Sequence, residues 1–144
     1  LLADVDYITV GDLKIRIEHG DALCTDDVSY QKFRKVIRNP FLLGLLKRTP
    51  LAFRKRLATG FRQKSQQANQ IKSYDIMDVN QHAVEHALSH ANILIHGHTH
   101  RPEIHDVHGK KRIVLGDWRE NSAEILEINL ETTNQELKLK TWTY

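Results

Sequence analysis

A chain of 144 residues, 40% of them hydrophobic, holds material for about one domain with one core; no apolar run approaches the ~18–20 residues of a membrane-crossing helix. The opening Leu1–Asp6 lacks the basic head and apolar centre of a signal peptide, and the single Cys24 cannot form an internal disulfide, which is compatible with a reducing cytoplasm. The net charge of +3 conceals a segregation: Val28 to Tyr74 carries 12 Lys or Arg and no Asp or Glu, leaving a balance of −9 elsewhere.

Tyr7 to Val10 and Leu13 to Glu18 predict a strand pair turning at Gly11-Asp12, the second strand running into His19-Gly20-Asp21. Asp26 and Asp27 precede a helix predicted from Ser29 to Arg38, with acids near its positive N-terminal end. Asn39-Pro40 breaks that helix, and Phe41 to Leu46 read as a compact apolar patch. Thr49-Pro50 restarts a helix, in the N-cap and first-turn positions, running towards Ile71 with a kink expected at Thr59-Gly60. Asp78-Val79-Asn80-Gln81 reads as a capping box opening a helix to Ser89.

Asn92 to Ile95 is a short buried strand. Ile104 to Val107 and Arg112 to Leu115 predict a hairpin through His108-Gly109-Lys110. Two more strands, Ile125 to Leu130 and Glu136 to Trp142, flank a Thr-Thr-Asn-Gln turn. The order is strand pair, helices, strand, then an all-β finish, without repeats: an α/β chain.

The chemistry concentrates in Ile95-His96-Gly97-His98-Thr99-His100-Arg101-Pro102. Alternation in an extended segment sends His96, His98 and His100 to one side, at a spacing a metal can use. The competing reading is polar decoration of a strand end. His19 repeats the context, a strand-end His followed by Gly, and is the best distant partner; its alternative is an exposed loop histidine. His82, His86 and His90 fall along one helix face and are expected to be solvated, as are His105 and His108 on the hairpin.

The basic segment interleaves its cations with Phe33, Phe41, Leu45, Leu51, Phe53 and Phe61. That composition suits an anionic membrane surface, where each nearby cation adds ~1 kcal/mol. A solvated cationic face over ordinary core is the alternative. Nucleic acid is not expected as a partner, because stacking Tyr or Trp residues are absent between Lys32 and Ser73 and no reader motif matches.

Taken in order, His19-Gly20-Asp21-Ala22-Leu23-Cys24-Thr25-Asp26-Asp27, the basic helices, Ser65, Asn69 and Lys72, Ile76–Asn80 and the His-Gly-His-Thr-His-Arg-Pro run resemble the UDP-2,3-diacylglucosamine diphosphatase family of lipid A synthesis, within the calcineurin-like metallophosphoesterases. The resemblance implies a four-layer α/β/β/α sandwich with a helical cap inserted at about residues 28–74. It implies hydrolysis of the substrate's pyrophosphate to UMP and 2,3-diacylglucosamine 1-phosphate, with two manganese ions, on the cytoplasmic face of the inner membrane. It matches His19, His98 and His100 to metal ligands, Asp27, Ser65, Asn69, Lys72 and His98 to substrate contacts, and His98 to catalysis.

The Asp-x-His, Gly-Asp and Gly-Asn-His/Arg-Asp motifs that the resemblance also requires do not precede His19. The chain is therefore expected to be the C-terminal part of a longer enzyme and inactive alone. A calcineurin-like phosphodiesterase of other substrate and a non-catalytic basic membrane-docking module remain the alternatives.

Overall fold

The computed structural model describes residues 4–71, 74–129 and 136–144, which divide into two compact units. The first comprises residues 1–23 and 79–144, the second 24–78.

The first unit is built on a five-stranded sheet of order β1-β2-β3-β5-β4, from β1 (Val5–Val10), β2 (Leu13–Glu18), β3 (Ile93–His96), β4 (Glu103–Val107) and β5 (Lys110–Val114). The two outer pairs are hairpins and the central pairings β2–β3 and β3–β5 are parallel. The β1–β2 turn uses Gly11 at φ 58°. The β4–β5 turn places His108 and Gly109 at φ 52° and 78°, the two positive values that a two-residue type I′ hairpin requires.

β3 is buried at all four positions, as its near-continuous apolar run demands of a central parallel strand. Its alternation divides the core. Ile93 and Ile95 join Leu13, Ile15 and Ile113 on one face, covered by Leu126, Ile128, Leu137 and Leu139 of an antiparallel hairpin, β6 (Ser122–Asn129) and β7 (Glu136–Thr143). Leu94 faces the other way, against Val84, Ala87 and Leu88 of a helix, α5 (Gln81–Leu88), with Leu23 and Val107. The described layers are therefore helix, sheet and hairpin, a mixed α/β arrangement. β1 forms one edge of the sheet and exposes Tyr7, Ile8 and Val10.

The second unit is helical: α1 (Val28–Ile37), α2 (Pro40–Lys47), α3 (Leu51–Ile71) and α4 (Tyr74–Met77). Asp27 caps α1, accepting from Tyr30 N at 3.0 Å and Ser29 Oγ at 2.8 Å.

Three local expectations are corrected. The apolar patch at Phe41–Leu46 is helical, because Asn39-Pro40 both ends α1 and starts α2: Asn39 Oδ1 accepts from Phe41 N and Leu42 N at 2.9 and 3.2 Å, and Pro40 occupies the first turn. Thr49 does not cap α3; its hydroxyl donates back to Leu46 O at 2.7 Å. The cap of α5 is Asn80 rather than Asp78, its side chain accepting from Ala83 N at 3.2 Å. The expected Thr-Thr-Asn-Gln turn lies outside the described residues.

Since α5 supplies the helical layer over Leu94, its cap bears on the stability of the whole unit. Asn80→Ala should cost about 1 kcal/mol in urea unfolding, whereas Asp78→Ala should cost less than half of that; the reverse order would return the cap to Asp78.

Candidate metal centre

Parallel pairing aligns the C-terminal ends of β2 and β3, with Glu18 opposite His96. Each strand then releases a His next to a Gly: His19-Gly20 after β2, Gly97-His98 after β3. The two loops stay joined for one further step, Gly97 N donating to His19 O at 3.1 Å. The result brings the His19 and His98 rings to a centroid separation of 5.1 Å, tilted by 58°.

Asp21, 2% exposed, places Oδ1 3.2 Å from His19 Nδ1, while the His19 side chain is 59% exposed. A carboxylate on one ring nitrogen fixes the ring and directs Nε2 outward as the donor atom, the usual arrangement behind a metal-binding imidazole. His98 adopts φ 66° and His100 φ 52°, left-handed conformations that cost a non-glycine residue about 1–3 kcal/mol and recur at functional sites.

These values correct the expected alternation of three histidines along an extended segment. β3 ends at His96, and the positive φ at His98 turns the chain. His96 is instead 1% exposed. Its Nδ1 lies 3.0 Å from Gly97 O, and Arg112 Nη1 stands 3.5 Å from its Nε2. His100 is exposed. Among the described residues no three His, Cys, Asp or Glu side chains are grouped to hold a metal ion.

The remaining site candidates belong to the helical unit. Asp27 is 6% exposed and engaged in capping α1. Ser65 is exposed on α3, and Asn69 follows four residues later on the same helix. Lys72 lies outside the described residues.

Sequence reasoning overlooked the buried charged layer beside the histidine pair. Arg16 Nε meets Glu18 Oε1 at 2.8 Å, with the Glu18 side chain 1% exposed. The signal was present: Lys14, Arg16 and Glu18 alternate with the apolar face of β2. Elsewhere the helix-face histidines His82, His86 and His90 are exposed as expected. Glu85 Oε2 lies 3.7 Å from His82 Nδ1, and Glu85 Oε1 lies 3.4 Å from His108 Nε2. A hydrogen bond from Gln81, followed by the two histidines, holds the Glu85 carboxyl below its ordinary value.

The fold and this site define an α/β domain whose parallel strands deliver an oriented imidazole pair to one end of the sheet. No family model matches the chain. It is 47% identical over 131 residues to a UDP-2,3-diacylglucosamine hydrolase of Haemophilus influenzae (strain PittGG), covering 90% of this chain and 55% of that protein. It is 46% identical over 135 residues to the protein of that name from Vibrio parahaemolyticus and 44% over 131 residues to that of Serratia proteamaculans, again covering 55% of each and 90% and 87% of this chain. Over the stretch it covers, the chain is similar to curated UDP-2,3-diacylglucosamine hydrolases, and it spans about half the length of the relatives it matches.

Solved structures with partial likeness include an archaeal phosphodiesterase (TM-score 0.42, 14% identity, 95% of this chain and 51% of that one) and zinc-complexed Vps29 of Entamoeba histolytica (TM-score 0.46, 13% identity, 97% and 60%). At those scores the likeness carries no argument about the site.

Gly20 tests the geometry of the paired loops. It has φ +102°, and a Cβ there would stand 2.8 Å from His96 Nδ1 and 3.2 Å from Gly97 O. Gly20→Ala should lose about 1–3 kcal/mol of unfolding free energy, read as a lower urea midpoint; an unchanged midpoint would refute the close packing of the two loops.

Proposed function

We propose that this chain carries the part of a UDP-2,3-diacylglucosamine hydrolase that supplies His19, His98 and His100 to a two-manganese centre cleaving the substrate's pyrophosphate bond to UMP and 2,3-diacylglucosamine 1-phosphate. The observation that carries the reading is the His19–His98 pair at the aligned ends of β2 and β3, 5.1 Å between centroids. It is supported by 44–47% identity to hydrolases of that name.

The donor set fits a divalent ion. Neutral imidazoles suit borderline metals such as manganese or zinc, the Asp21 carboxylate orients His19, and the glycines let the two loops approach. His19 and His98 would hold the ion, His100 would complete the histidine set, and the remaining ligands would come from the half of the family's length this chain does not span. Bound there, such ions supply Lewis-acid chemistry to a phosphoryl group.

This chain's own residues then divide the work. Asp21 keeps the His19 ring in one orientation. His98 lies against the substrate phosphate as the catalytic histidine, a hydrogen-bond donor where charge develops. Asp27, Ser65, Asn69 and Lys72 bind and orient the substrate, Lys72 by charge.

The helical unit takes the lipid. It contains a cavity of about 600 Å³ lined by Phe33, Val36, Leu42, Leu46, Leu57 and Phe61 among others, an environment for acyl chains. Arg54 also lines it, and its buried Nε has no hydrogen-bond partner among the described residues, a cost of about 1–3 kcal/mol that a polar group of a bound lipid would relieve. Outside the cavity Phe41 is 84% exposed, with Leu45, Leu51 and Phe53 also exposed among the cations. This surface suits peripheral docking on the anionic cytoplasmic face of the inner membrane. No helix among the described residues is long and apolar enough to cross a membrane.

In the chain completed by an upstream half, His98→Ala should abolish manganese-dependent UMP release while the circular dichroism spectrum is retained; full turnover would sink the metal reading. Leu57→Glu should lower kcat/KM for the diacyl substrate by at least about tenfold, ~1.4 kcal/mol, yet spare a UDP-glucosamine without acyl chains. Equal losses on both substrates would argue for a phosphodiesterase that does not use the cavity for lipid.

A further inference from the structure

We propose that His96 is a positioning residue: its buried ring sets the separation of His19 and His98, and with it the affinity of that pair for a divalent cation. This role rests on the metal reading above and concerns a residue outside the ligand set.

His96 ends β3 on the same sheet face as Leu94 and is 1% exposed. Its ring touches both loops that carry the imidazole pair. It packs against the Gly20 backbone so closely that a Cβ there would lie 2.8 Å from Nδ1 and 3.2 Å from the His96 Cβ. The same Nδ1 stands 3.0 Å from Gly97 O. His19 precedes the first contact and His98 follows the second. The His96 backbone is itself tied down, its carbonyl accepting from Leu115 N at 2.7 Å.

The partners also select a tautomer. A carbonyl only accepts, so Nδ1 must carry the proton and donate to Gly97 O. A guanidinium only donates, so Nε2 must accept from Arg112 Nη1, 3.5 Å away. The ring is thereby held in one orientation as a wedge beneath Gly20 and Gly97. A side chain of different length or polarity would let the two loops shift. The imidazole separation would shift with them, since Gly97 N also bonds His19 O. Outer groups that orient metal ligands are worth about 10–100-fold in metal affinity.

Titration of the chain with Co²⁺, followed by visible absorption, reads this geometry without turnover. His96→Asn places an amide donor near the Nδ1 position and should bind Co²⁺ within about threefold of the parent. His96→Gln carries its amide out towards the Nε2 position, and His96→Phe has no donor; both should weaken binding by about tenfold or more. Thermal melts of the metal-free proteins separate this loss from unfolding, and if the Phe variant does not fold, the contrast between Asn and Gln still decides. Parental affinity in the Gln and Phe variants, or an equal loss in all three, would overturn the role. His98→Ala in parallel separates the two claims: loss of Co²⁺ there with unchanged binding in the His96 variants removes the positioning role alone. Unchanged binding in His98→Ala removes the metal reading and the positioning role with it.

Discussion

The parallel pairing of β2 with β3 is the constraint on which the site depends. Its register sets Glu18 against His96, and the one further bond from Gly97 N to His19 O carries the alignment into the loops. A one-residue slip would move every side chain of β3 to the opposite face of the sheet. Leu94 would leave the α5 side, Ile93 and Ile95 would leave the hairpin side, and the two His-Gly steps would no longer stand together. The apolar core therefore enforces the site: the burial that holds β3 in register also brings two imidazoles to 5.1 Å.

Around that register, polar groups occupy places where burial is costly unless satisfied. Asp21 is met by His19, Glu18 by Arg16, and His96 by Gly97 O and Arg112. A charged layer of this kind contributes little net stability compared with apolar packing. It does fix orientation, which is what the proposed metal-binding role of the two rings requires and what an apolar layer could not provide. The helical unit follows a different logic: α1 and α2 contain no fully buried residue, and apolar side chains face a cavity or solvent among cations without a balancing acid from Val28 to Tyr74.

The strands were legible because their alternation and their turns agree. Gly11-Asp12 and His108-Gly109 mark two hairpins, and Leu13, Ile15 and Ile17 point one way from β2. α2 was not legible, since Pro40–Lys47 is apolar on every side and offers no period, and Asn39-Pro40 ends one helix in the act of starting the next. The cap of α5 was misassigned because Asp78 and Asn80 are both good capping residues, and only the observed bond to Ala83 N separates them. At the site, the strand-end His-Gly context repeated at His19-Gly20 and His96-Gly97 made the meeting of the two loops readable. The place of His96 was not. Alternation extrapolated one strand past its end, whereas the chain turns at His98 through a conformation that no residue pattern announces.

The most direct measurement is an anomalous difference map, collected at the manganese edge, from crystals of the chain soaked in Mn²⁺. The account predicts a peak within coordinating distance of an imidazole nitrogen of both His19 and His98. A map with its strongest peak at His82, Glu85 and His108, or with none at the ends of β2 and β3, would contradict it.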